Sequence, residues 1–162
     1  MASLPTILVA VDGSDQSMHT ISYLSRILSP NEVGLEFFHV RAEVPEAFFD
    51  EGETAATATY ETEIETWKNS RDTQINRFME DVQKSFIGAG FPSGSVSVSV
   101  QPRKIGIARD IISKSKRGYA AVVIGRNGFG TLPEFMIGSI ASKLADAVAH
   151  IPLAIVGGQP ET

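Results

Sequence analysis

"AAVVIGRNGFGTLPEFMIGSIASKLADAVAH", residues 120–150, joins an unbroken apolar run to a helical-looking segment through a loop carrying Gly125, Gly128, Gly130 and Gly138. An apolar run without alternation is what a strand covered on both faces of a parallel sheet requires. The start of the helix presents backbone N–H groups with no partner in the helix and a partial positive charge. A preceding glycine loop can bring such donors against an anion, phosphate above all, with no side chains in the way. Gly125 and Gly128 permit a tight turn at the strand end. Gly138 and Ser139 open the helix, where the Ser139 hydroxyl adds a donor. The competing reading is that turns simply favour glycine, so that the loop packs as structure and binds nothing.

Working outward, "TILVAVD" (residues 6–12) is a second continuous apolar run, followed by Gly13. Ser14 or Asp15 can cap the next helix, in which Met18, Ile21, Leu24 and Leu28 recur at helical spacing until "SPN" stops it. "VGLEFFHV" (33–40) reads as a strand, and "SVSVSVQ" (95–101), alternating with period two, as one nearer the sheet edge. Between them the acidic "EVPEAFFDEGETAATATYE" (43–61) reads as a mobile loop. Ile64, Trp67, Ile75, Phe78, Val82 and Phe86 then trace one face of a long helix ended by "GAG". Trp67 is most simply a core or partner contact. "KIGIARDIISKSKRG" (104–118) gives a helix with Ile105, Ala108 and Ile112 inward, residues 119–125 a strand, 139–149 a helix, and "IPLAIVG" (151–157) the last strand. Strands alternating with helices predict an α/β fold, an open five-stranded parallel sheet flanked by helices with right-handed crossovers. Such sheets bind ligands beyond the carboxyl ends of the strands, where strand order reverses. Asp12, Val40 and Gly125 stand at those ends.

The 162 residues suit one domain over 1–162 with a sizeable core. A net charge of -5 without clustered Lys and Arg argues against nucleic acid or an anionic membrane surface as partner. The chain has no cysteine, so disulfides, thiolate nucleophiles and cysteine zinc sites are excluded. The opening "MASLPTILVAVDGS" lacks a basic region ahead of its short apolar stretch, and no run approaches the ~18 apolar residues of a membrane span. A soluble, cytoplasmic protein is expected. No G-x-x-x-x-G-K-[ST] is present and no G-x-G-x-x-G follows the first strand, so phosphates would be held at the fourth strand rather than the first.

"ILVAVDGSDQS", the G-x2-G-x9-G-S spacing of Gly125, Gly128, Gly138 and Ser139, and the closing "IPLAIVGG" together resemble the universal stress protein (UspA-like) family, over nearly the whole chain. The glycine spacing is similar to that of its ATP-binding branch. The resemblance implies an adenine nucleotide alpha hydrolase-like (Rossmann-like) fold, a homodimer formed through the last strand, and ATP, ADP or AMP as ligand, with Mg as a conceivable companion of the phosphates. Carried over by motif position, Ala10, Val11 and Asp12 would line the adenine and ribose side. Val40 would contact adenine through its backbone, and Gly125, Gly128, Gly138, Ser139 and Ile140 would hold ribose and phosphates. Arg126 and Asn127 stand where the family commonly has a small polar residue followed by a basic one. The acidic stretch near residues 45–60 is longer than in compact members.

Weighed singly, Asp12 is either a turn former or a ligand contact, and its place at the crevice favours contact. Arg126 neutralises phosphate or is a solvated loop residue, with nothing in the sequence to choose. Phe129, Leu132, Phe135 and Met136 would cover the pocket or a dimer contact. His39 has the chemistry of a general base but fits packing beside the sheet better. His19 and His150 have no metal-ligand spacing. Ser14 lacks a G-x-S-x-G elbow, so no nucleophile is assigned. The expected function is therefore regulatory nucleotide binding with slow or no hydrolysis. The alternatives are an ATP hydrolase or nucleotidyl transferase on the same fold, and an interaction module that uses no nucleotide. The apolar final strand "PLAIVGG" would expose a sheet edge that a symmetric partner strand covers.

Overall fold

A computed structural model describes residues 3–41, 57–127 and 138–158. Among the described residues five strands and four helices alternate: β1 (Thr6–Ala10), α1 (Asp15–Ile27), β2 (Gly34–Arg41), α2 (Thr57–Gly88), β3 (Val96–Pro102), α3 (Ile107–Ser115), β4 (Ala121–Gly125), α4 (Ser139–Ala147) and β5 (Leu153–Val156). A 3-10 turn, Ser93–Ser95, leads into β3. The sheet order is β3-β2-β1-β4-β5 and every pairing is parallel. This is the open five-stranded α/β sheet that the strand–helix alternation predicts, with β3 at one edge and β5 at the other. The chain adds β2 and β3 on one side of β1, then crosses to lay β4 and β5 on the other. The crevice where strand order reverses therefore lies between the carboxyl ends of β1 and β4.

Two apolar clusters cover the two faces of the sheet. Val9, Leu35, Phe37 and Val123 pack under α1 and α2, meeting Ile21, Leu24, Ile75, Met79, Val82 and Phe86. Leu8, Ala10, Phe38, Val122 and Ile124 pack under α3 and α4, meeting Ala108, Ile111, Ala141 and Leu144. Burial of both faces is why β1 and β4 read as unbroken apolar runs. Phe86 anchors the first layer, its ring centroid 5.2 Å from Phe37 and 5.1 Å from Phe91. Near the amino ends of the strands, the Tyr119 hydroxyl donates to the Glu36 carboxylate, and Lys114 Nζ lies 3.4 Å from the same group. Burial pushes the Tyr119 phenol well above its ordinary value, reinforced by that hydrogen bond and by the Glu36 charge.

Some helix faces differ from the periodic reading. On α1, Ile21 and Leu24 are buried as expected, but Met18 is 42% exposed, and Gln16, Ser17 and Thr20 face inward instead. Ile105 is 66% exposed and precedes α3, whose buried apolar residues are Ala108 and Ile111, with Ile112 packed at the margin. The cause is Asp110: its carboxylate accepts from the backbone N–H groups of Lys104 (2.7 Å) and Ile105 (3.2 Å), fixing them as a turn ahead of the helix. Helix α2 begins at Thr57, inside the stretch read as a loop; residues 42–56 lie outside the described residues. Its buried face is Ile75, Met79, Val82 and Phe86, and Trp67 belongs to neither core cluster.

Candidate functional site

The β1–α1 connection is tied together by its own side chains. Past the end of β1, the Val11 N–H donates to the Phe38 carbonyl at 2.9 Å. Gly13 takes φ 81°, a left-handed turn that an L side chain would resist. Asp12 Oδ1 accepts from the Ser14 N–H (2.9 Å) and the Ser17 hydroxyl (2.7 Å), while the Asp12 N–H donates to Ser17 Oγ at 3.0 Å. Ser14 caps α1 by accepting from the Ser17 N–H at 3.2 Å. The turn-forming role of Asp12 is thus real and occupies Oδ1. Oδ2 makes no hydrogen bond among the described residues.

His39, on β2, donates from Nδ1 to the Val11 carbonyl at 2.9 Å. Burial holds its pKa below the ordinary imidazole value, the Val11 bond and Asp12 oppose that, and the charges of Arg71 and Arg41 add to the lowering. A neutral ring bracing β1 against β2 is the result, in line with packing beside the sheet. Ala10, Val11 and Val40 are all buried at this end of the sheet, on the β1–β2 side of the crevice.

The β4–α4 connection is built differently. A Cβ on Gly125 would stand 3.2 Å from Gln16 Cγ and from Thr20 Oγ1, so glycine here lets α1 approach the end of β4. The Arg126 N–H donates to the Val156 carbonyl (2.8 Å), and the Gly138 N–H donates to the Arg126 carbonyl (2.6 Å), closing the loop at its base. A Cβ on Gly138 would meet that same carbonyl at 3.1 Å and Asn127 Cα at 3.3 Å. Both described glycines of the motif therefore have packing reasons of their own, and the Gly138 N–H is already engaged. The ladder of α4 starts with the Ser142 N–H to the Gly138 carbonyl at 2.9 Å. The amides of Ser139, Ile140 and Ala141 thus lie ahead of it, at a helix end with no side-chain cap and no acidic residue in the first turn.

Arg126 runs toward β5, its Cδ 3.6 Å from where a Cβ on Gly157 would stand, which puts its stem on the far side of β4 from the crevice. Gly128, Phe129, Leu132, Phe135 and Met136 lie outside the described residues. Among the described residues no group of three or more His, Asp or Glu is placed to hold a metal ion, and no helix is long and apolar enough to cross a membrane. The structure brings Ala10, Val11, Asp12, Val40, Gly125, Gly138, Ser139 and Ile140 to one end of the sheet. Sequence reasoning missed Gln16, Ser17 and Thr20, which line the α1 side of this end. Their signal was present as polar residues in helical phase with Ile21 and Leu24, a pattern that a search for apolar periodicity passes over.

The sequence profile of the universal stress protein family matches residues 4–157, and the chain belongs to that family. It is similar to the universal stress protein YxiE of Bacillus subtilis, with 23% identity over 151 residues, covering 93% of this chain and 97% of the relative. Among solved structures it resembles the universal stress protein UspA of Lactobacillus plantarum, with a TM-score of 0.69 and 16% identity, over 96% of this chain and 99% of the other. It also resembles a universal stress protein family protein of Arabidopsis thaliana with AMP bound, with a TM-score of 0.66 and 11% identity, over 96% and 92% of the two chains. At these identities the structural likeness establishes the fold.

Proposed function

We propose that this universal stress protein binds an adenine nucleotide, ATP or its products ADP and AMP, in the crevice between β1 and β4 and acts by binding rather than by turnover. The observation that carries the reading is the start of α4, whose three leading amides and positive dipole end stand at the crevice with no side-chain cap from Gly138 and no acidic residue in the first turn. Across the crevice Asp12 keeps Oδ2 for a ribose hydroxyl, because Ser14 and Ser17 fix the carboxylate through Oδ1. The AMP carried by the Arabidopsis relative on the same fold supports the same class of ligand here.

Ser139 and Ile140 would hold phosphate, Val40 the purine edge, and Gly125 and Gly138 the close packing that forms the cradle. A magnesium ion would ride on the phosphates, since no acidic cluster among the described residues offers it a cage. The described residues near the crevice supply orientation and charge stabilisation, and the one histidine among them at this end of β2, His39, is committed to the Val11 carbonyl rather than to activating water. The functional unit is a cytoplasmic homodimer through β5, whose Ala154 is exposed at the sheet edge. Calorimetry with ATP, ADP and AMP, each with and without Mg, tests the reading: saturable binding of at least one is expected. The absence of heat at millimolar ligand would overturn it, and rapid ATP turnover abolished by Asp12→Ala would replace it with an enzyme.

A further inference from the structure

Helix α2 outreaches the sheet it packs against. Its 32 residues extend about 48 Å at the α-helical rise, whereas the five residues of β1 and eight of β2 extend roughly 16 to 26 Å. From residue 61 on, the residues it buries, Ile75, Met79, Val82 and Phe86, lie in its second half. The helix passes the strand ends at residues 72–75: Asp72 Oδ1 is 3.4 Å from Arg41 Nε at the end of β2, and Ile75 Cδ1 is 3.6 Å from where a Cβ on Gly13 would stand. Because α2 runs back against the strand direction, the turns before Asp72 overhang the carboxyl end of the sheet, on the β1–β2 side of the crevice.

Trp67 and Arg71 sit on that overhang one turn apart, both half-buried. The Arg71 guanidinium lies over the Trp67 ring, 6.0 Å from its centroid. The charge of Arg71 also reaches His39, the residue that precedes Val40 on β2. A guanidinium is planar and delocalised and stacks on aromatic faces. With Trp67 orienting it, Arg71 stands as a flat cation beside the end of β2, where the base of a nucleotide held at α4 would reach.

We propose that Arg71, held by Trp67, is a specificity-determining residue that closes the base end of the crevice by stacking on the purine of the bound nucleotide; this rests on the nucleotide reading above. Trp67 is the one tryptophan of the chain, so its emission reports directly on this place. The test compares wild type with Arg71→Ala and Arg71→Lys, titrating AMP, UMP and ribose 5-phosphate by calorimetry and by tryptophan emission, with thermal melting to confirm the fold of each variant. AMP is expected to shift the Trp67 emission of the wild type. Both variants are expected to bind AMP about tenfold more weakly, to narrow the preference for AMP over UMP, and to leave ribose 5-phosphate unaffected. Full AMP affinity in Arg71→Lys would mean that charge alone acts there and would overturn the stacking role. So would unchanged AMP affinity in both variants, or equal losses for AMP and ribose 5-phosphate, while nucleotide binding itself stood. A wild type that binds no nucleotide would overturn this inference and the function it rests on together.

Discussion

Two helices start side by side at the carboxyl end of the sheet, and the chain treats them in opposite ways. At α1, Ser14 caps the first turn, Asp15 lies within it, and Asp12 folds back on the Ser14 N–H and the Ser17 hydroxyl. At α4, glycine stands at the cap, no acid lies in the first turn, and the nearest carbonyl, that of Arg126, is used to close the loop. Both ends carry the same dipole and the same set of leading amides. Among the described residues, a side chain caps the first and none caps the second. The contrast separates a structural helix start from a candidate binding one more sharply than glycine content does, since the described glycines of the β4–α4 loop are already explained by packing.

The strongest way to break the contrast is to give α4 what α1 has. Ser139→Asp places a carboxylate in the first turn of α4, where the dipole favours it, so the fold is expected to hold or gain slightly. The same charge occupies the anion position and repels phosphate. Removing charge-assisted hydrogen bonds worth about 1.5 to 3 kcal/mol should weaken nucleotide binding by about a hundredfold. Calorimetry paired with thermal melting reads both effects. A variant that is more stable and binds as before would mean that the open amides have no ligand role.

The converse change sharpens the contrast from the other side. Ser14→Ala removes the cap from α1 and is expected to cost about 1 kcal/mol of stability, seen as a lower urea midpoint at unchanged slope. Nucleotide affinity should stay as in the wild type, because the Ser14 backbone N–H that fixes Asp12 remains. If affinity fell as far as in the α4 variant, the two helix starts would not be functionally distinct.

Which parts of this arrangement could be read beforehand follows from the forces that make them. The β1 and β4 runs announce buried strands because both sheet faces demand apolar side chains, and "DGS" announces the turn because few other residues tolerate its backbone. The phases of α1 and α3 were misread at Met18 and Ile105 for one shared reason. Inward positions there are held by polar groups bonded to backbone, Thr20 to the Gln16 carbonyl and Asp110 to the 104–105 amides, and such groups carry no hydrophobic signal. Of the site, Asp12, Gly138 and Ser139 were legible because turn chemistry and capping are local. The overhang of α2 was not, because the place where a long helix passes the end of a sheet is set by tertiary packing at Ile75 and Met79. The side on which Arg126 runs depends likewise on Gly157, about thirty residues on in the chain.

The smallest expected effect concerns acidity. The β1–α1 connection is braced by a titratable group on β2, His39, whose Nδ1–H bonds the Val11 carbonyl just ahead of Asp12. At the β4–α4 connection the described residues offer no histidine or carboxylate, only the guanidinium of Arg126. Burial lowers the folded-state pKa of His39 below its ordinary 6.5. At acidic pH the unfolded chain therefore binds more protons at this residue than the folded one, and stability must rise with pH. The contribution is fully present above about pH 6.5, the unfolded value, and is lost as pH falls through 6.5 toward the depressed folded value. Urea midpoints at pH 7.5 and 5.5 should differ in the wild type by more than in His39→Asn, which keeps a side-chain amide able to donate to the Val11 carbonyl but does not titrate. Equal differences in the two proteins would assign the acid sensitivity to carboxylates elsewhere. A flat profile in the variant would mark the β1–α1 connection as the pH-sensitive one of the two.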